Sequence, residues 1–150
     1  LHVQTRIALH RDNPLARHDI LTPELLCDEP FIVMGPDHIT QRRLRDAFER
    51  AGVPFKARVH SHLFNNLLSF VKEGMGVSLL DRFGLEFDYD DRFVARDFRP
   101  QIMMDMAVIT SATRPLSQVG REFLSYLLAA LEPYSAVGVP VDPTRESETP

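Results

Sequence analysis

The chain has 150 residues, 44% hydrophobic and 25% charged, with a formal net charge of −4 and acids and bases interspersed. This is the composition of one globular domain or two small lobes, without the basic stripe that direct contact with nucleic acid requires. The lone cysteine, Cys27, excludes an intrachain disulfide and a cysteine zinc cluster and fits a reducing cytoplasm, and no apolar run is long enough for a membrane span or a signal peptide.

The chain opens on Leu1 rather than Met, so a segment upstream of it is expected. Leu1 to Leu9 alternates loosely and runs into the polar turn His10-Arg11-Asp12-Asn13-Pro14, the pattern of a strand entering a loop. Thr22-Pro23-Glu24-Leu25-Leu26 reads as a short helix with Thr22 as its cap and Pro23 at its first position. Phe31 to Met34 is a buried strand that stops at Gly35-Pro36. Ile39 to Ala51 predicts a helix, because Leu44, Ala47, Phe48 and Ala51 recur at spacings of three and four, with Gly52 as its C-terminal cap. Lys56 to Val59 is a short strand. Ser61 sits as the N-cap of a helix whose Leu63, Leu67, Leu68 and Val71 share one face, and Gly74 and Gly76 end it. Strands are predicted over Val77 to Leu80, Phe93 to Phe98 and Asp105 to Thr110. Ser117 caps a last helix with Phe123, Leu124, Leu127, Leu128 and Leu131 turned inward, and Met103, Met104 and Met106 are expected in a core or at a lobe interface. From Pro133 the chain is rich in Pro, Glu, Ser and Thr and reads as a disordered tail. Strands separated by helices define an α/β fold with a mainly parallel sheet.

Several stretches resemble the effector-binding (substrate-binding) domain of LysR-type transcription regulators. Ile7 to Ala16 resembles the family's strand and following turn, and Leu21 to Leu26 with Glu29 to Ile32 its next helix and strand. Phe70 to Asp81 resembles the motif V-x-x-G-x-G-V-x-x-x-P, departing from it at Asp81, where many members carry proline. Arg114 to Ser117 with Arg121 to Leu124 resembles the last helix. Asp81 and the stretch Phe93 to Phe98 look closest to the branch that senses amino-acid-like ligands, including opines and diaminopimelate.

The resemblance implies a periplasmic-binding-protein-like (type 2) fold whose effector lies in a cleft between two lobes. On that plan residues 1–14 are a strand and crossover from a largely missing first lobe, and 15–95 are the second lobe, a parallel-rich sheet flanked by helices. Residues 96–132 are return strands and the last helix, and 133–150 the tail. The returning elements would then lack sheet partners and expose apolar edges. The implied role is sensing a small amino-acid-like or carboxylate metabolite so as to modulate DNA binding by a winged helix-turn-helix outside this sequence. The family also implies a cytoplasmic setting and self-association as dimer or tetramer, with DNA reached only through the missing N-terminal region. A free-standing solute-binding protein of a transporter shares the fold and stands as the alternative; a small α/β enzyme is a third possibility.

Ser61, a hydroxyl at a helix head beside free backbone N–H groups, reads either as an N-cap or as a contact for a ligand carboxylate. His60 and His62 flank it; two histidines without a third ligand make a poor metal site, and no metal or cofactor is expected. Gly35, Pro36 and Asp37 follow a strand end, where ligands gather in such sheets, and read either as binding residues or as a plain turn. Asp81 reads either as a cap or as the partner of a ligand amine. Asn65 and Asn66 read as solvated helix residues. Ser61, His60 and Asp81 are the residue types of a hydrolase triad, but the nucleophile elbow Gly-x-Ser-x-Gly is missing, so no catalytic residue is assigned and the chain is not expected to be an enzyme.

Overall fold

A computed structural model describes residues 1–86, 88–111 and 113–134. The elements run β1 (His2–His10), α1 (Pro23–Leu26) after the two-residue β2 (Ile20–Leu21), β3 (Phe31–Met34), α2 (Ile39–Ala51), β4 (Ala57–Ser61) and α3 (Phe64–Lys72). They continue with β5 (Ser78–Asp81), α4 (Arg82–Glu86), β6 (Phe93–Phe98), β7 (Met103–Asp105) and α5 (Gln118–Leu131). Two compact units result among the described residues: Gln4–Met104, and Leu1–Val3 with the described residues from Asp105 on.

Within the larger unit the strands order β2-β6-β1-β5, and β7 pairs β1. A second pair, β3-β4, joins this sheet where Phe31 bridges Val77 in parallel, with the Ile32 N–H donating to the Val77 carbonyl at 2.8 Å. The strands β2 and β6 run parallel, as do β3 and β4, and β1 runs against both β5 and β6. The carboxyl ends of β3, β4 and β5 therefore share one edge, where β1 contributes Thr5 opposite Asp81.

The period of two along the strands sorts two cores. Ile7, Leu9, Phe31 and Val33 pack with Leu44, Ala47 and Phe48 of α2. Ala8, Ile32 and Leu80 pack on the other side with Leu67, Leu68 and Val71 of α3. A strand covered on both faces reads as an unbroken apolar run, which is what Phe31-Ile32-Val33 is. Phe31, Phe48 and Phe55 stack with ring centroids 4.7–5.4 Å apart.

Several expectations are corrected. Ser61 is the last residue of β4 and Leu63 is the N-cap of α3, because β4 continues in register with β3 (Met34 opposite Ser61) and strand pairing claims the backbone first. Leu63 is consequently 64% exposed instead of lining the helix face. Thr22 holds the N-cap position of α1 without a cap bond; its side chain bonds the Glu24 carboxylate, lowering that group's pKa. The strand expected over Asp105 to Thr110 is β7, Met103–Asp105, since only there does the chain pair β1; Val108 and Ile109, beyond the pairing, are exposed. Ser117 caps α5 as expected, accepting from the Gly120 N–H at 3.1 Å, but Phe123 and Leu128 are exposed and α5 fully buries none of its side chains. Met103 and Met104 are half-buried and Met106 is exposed. Of the expected tail, Pro133 and Tyr134 belong to a short 3-10 turn, and 135–150 lie outside the described residues.

Candidate functional site

The chemistry gathers at the carboxyl ends of β3 and β4. These neighbouring strands feed helices on opposite faces of the sheet, α2 on the side of Leu44 and Phe48, α3 on the side of Leu67 and Val71. Adjacent strands that feed helices on opposite faces mark the switch point of an open α/β sheet, where the ligand crevice of such sheets lies. One wall is Gly35-Pro36-Asp37 and the other His60-Ser61-His62, brought side by side by the Met34–Ser61 register. Contact between the walls is direct: a Cβ built on Gly35 would stand 3.0 Å from Cε1 and 3.1 Å from Nδ1 of His62. The absence of a side chain at Gly35 lets the imidazole lie on the main chain.

Both helices begin without a side-chain cap. His38 holds the N-cap position of α2 and Leu63 that of α3; neither side chain accepts a first-turn N–H, and neither helix has an acidic residue in its first turn. Two positive helix ends without a side-chain cap thus border this position, the arrangement that suits a carboxylate or phosphate. The His38 ring is turned to its own helix, with Nδ1 2.7 Å from the Thr40 hydroxyl.

Ser61 shapes one wall from within. Its hydroxyl accepts from the Leu63 N–H at 3.1 Å and donates to the Leu63 carbonyl at 3.2 Å, which fixes the turn into α3. Asp81 is 8% exposed and its carboxylate accepts from the Gly84 N–H at 3.0 Å, the bond of a cap for α4. With Ser61 bonded to Leu63 and Asp81 to Gly84, the residue types of a hydrolase triad are present without its relay. Among the described residues no three His, Cys, Asp or Glu side chains group so as to hold a metal ion, and no described helix is long and apolar enough to cross a membrane.

Two residues near the crevice escaped the sequence reading. Leu63 offers an exposed apolar side chain beside Ser61 and His62. Gln41, in the first turn of α2, is 5% exposed with no partner for Nε2 among the described residues. Its spacing to Leu44 and Phe48 is the helical signal that could have placed it inward.

A parallel-rich sheet with helices on both faces and a crevice at its carboxyl edge is the architecture of a periplasmic-binding-protein-like lobe. The chain belongs to the LysR substrate binding domain family, whose model matches residues 1–132. It is 28% identical over 111 residues to the regulatory protein NocR of Agrobacterium tumefaciens (strain T37), covering 73% of this chain and 37% of that protein; the chain thus spans less than half the length of this relative. Among solved structures it is similar to the CcmR regulatory domain of Synechocystis PCC6803 in complex with 2-PG, at a TM-score of 0.67 and 22% identity over 87% of this chain and 64% of that one. The effector-binding domain of QuiR in complex with shikimate gives a TM-score of 0.66 at 11% identity, over 90% of this chain and 64% of that one.

Proposed function

We propose that this chain is the ligand-sensing part of a LysR-type transcription regulator. A small metabolite bearing a carboxylate or phosphate, amino-acid-like compounds included, binds at the β3–β4 crevice and biases DNA binding by a winged helix-turn-helix carried outside this sequence. The observation behind this reading is the pair of uncapped helix N-termini, α2 and α3, bordering the crevice. The ligands of the similar structures, 2-PG and shikimate, support an anion. The effect on DNA requires that the ligand prefer one conformation of the full-length protein, since a ligand shifts an equilibrium only by its differential affinity. Full-length assembly as dimer or tetramer and a cytoplasmic setting follow from the same family reading.

Within the site Ser61 is a positioning residue: it holds the turn that presents the free N–H groups of α3. Titration calorimetry of the chain with 2-PG and with shikimate tests the reading. Ser61→Ala is expected to lower affinity about fivefold, the loss of roughly one hydrogen bond's contribution. Asp81→Ala is expected to weaken binding by releasing the head of α4 beside the site. Affinity unchanged in both variants would place the ligand away from this edge.

A further inference from the structure

Resting on that reading, we infer that Gln41 is a contact residue of the crevice, its unpaired side-chain amide donating to an oxygen of the carboxylate or phosphate that the site takes. Gln41 stands in the first turn of α2 and is only 5% exposed, and its Nε2 has no hydrogen-bond partner among the described residues. It shares the inward face of α2 with Leu44 and Phe48, three and seven residues further on. Side chains of a helix lean toward its N-terminus and cover the turn that precedes them. From the first turn of α2 that direction leads out of the helix head toward Gly35-Pro36-Asp37-His38, one wall of the crevice.

The neighbouring buried polar groups are engaged elsewhere. Thr5 and Asp81 alternate with Ile7 and Leu79 on the α2 side of the sheet. The Thr5 hydroxyl donates to the Ile102 carbonyl at 2.7 Å, and Asp81 accepts from the Gly84 N–H. The Thr40 hydroxyl, next to Gln41 along α2, is bonded to His38. Ser78 Oγ, the other buried side-chain atom without a partner among the described residues, lies at the amino end of β5, away from this edge. A buried amide N–H left unpaired costs stability, so Gln41 burdens the fold until something accepts from it. An anion at the helix head does so, because its oxygens take main-chain and side-chain donors alike, and a hydrogen bond to a charged acceptor is the stronger kind. Nε2 is covered, so the contact is made by rotation of the long, unbranched side chain as the ligand enters.

The test titrates 2-PG into the 150-residue chain by calorimetry and maps its site by amide NMR, where saturable shifts are expected at Gly35 to Ile39. Gln41→Met keeps the length and volume of the side chain and removes the donor. It is expected to weaken 2-PG about tenfold, the loss of one hydrogen bond to a charged acceptor. The urea midpoint should stay level or rise, because the unpaired buried donor is gone. Gln41→Glu sets a carboxylate oxygen in place of Nε2 and should weaken 2-PG further, by repulsion between like charges. Undiminished affinity in either variant, with the shifts still at Gly35 to Ile39, overturns the role of Gln41 while leaving the crevice as the site. So does a loss of affinity in Gln41→Met that comes with a lower urea midpoint, which makes the residue a structural one. Absence of localised shifts in the unsubstituted chain overturns the crevice reading and this inference together.

Discussion

Ser61 carries the main difference between sequence and structure at the scale of single residues. A serine before an apolar helical repeat is a strong N-cap signal, yet here it bonds a turn two residues upstream of the helix. Cap propensity is worth about 1 kcal/mol, and one more register pair with β3 competes with it on equal terms. That competition is invisible in a single sequence, because the partner strand lies some two dozen residues away. His62 on Gly35 is likewise a contact between residues that only the parallel pairing brings together. Gly35→Ala is expected to push the imidazole aside and weaken anion binding, while stability changes by less than about 1 kcal/mol because the ring is exposed and can move. Paired urea unfolding and sulfate titration check both halves. Gly76 is the opposite case: an added Cβ would stand 2.2 Å from the Pro30 carbonyl oxygen, a backbone atom that cannot step away. Gly76→Ala should therefore lower the urea midpoint markedly, by separating Pro30 from Val77 where the two parts of the sheet join.

Elements with strong, uncontested periodicity were legible from sequence. The helix α2 runs from Ile39 to Ala51 as its apolar spacing and Gly52 imply, and β3 and β6 fall where their residues place them. Elements whose limits depend on a partner were not: β7 stops at Asp105 although the alternation continues to Thr110, since pairing with β1 and not propensity decides its length. The double burial of β3 makes Phe31→Ala expensive, at about 3–5 kcal/mol of unfolding free energy, measurable by urea denaturation. Charged side chains join the end of α3 to the segment that enters β6. Lys72 bonds Asp88, lies 3.5 Å from Asp90 and stands 5.7 Å over the Phe93 ring, and Arg92 joins Asp90 at 2.7 Å and Glu73 at 2.6 Å. The Lys72 ammonium holds the Asp88 carboxyl below its ordinary range, and the Arg92 side chain does the same for Asp90. Carboxyls depressed in the folded state bind fewer protons than in the unfolded chain, so their stabilisation is present above the ordinary carboxylate range. It is lost as pH falls from about 4 through the depressed values. The chain should destabilise progressively below about pH 4, and Asp88→Asn should flatten that acid limb in thermal melts recorded across pH.

For the whole molecule, the order of elements was readable and their arrangement in the sheet was not. Nothing in the residues of β1 says that it lies between β5 and β6, running against both. The crevice follows from this arrangement, since it needs β3 and β4 adjacent and their helices on opposite faces. Occupation of that crevice by an anionic effector can be seen directly in a crystal structure of the 150-residue chain grown with 2-PG. The ligand's anionic group is expected beside Gly35 and His62, held by first-turn N–H groups of α2 or α3. A ligand seated instead in the groove of Phe64, Leu68 and Gly84, or an empty crevice with 2-PG bound elsewhere, would contradict it.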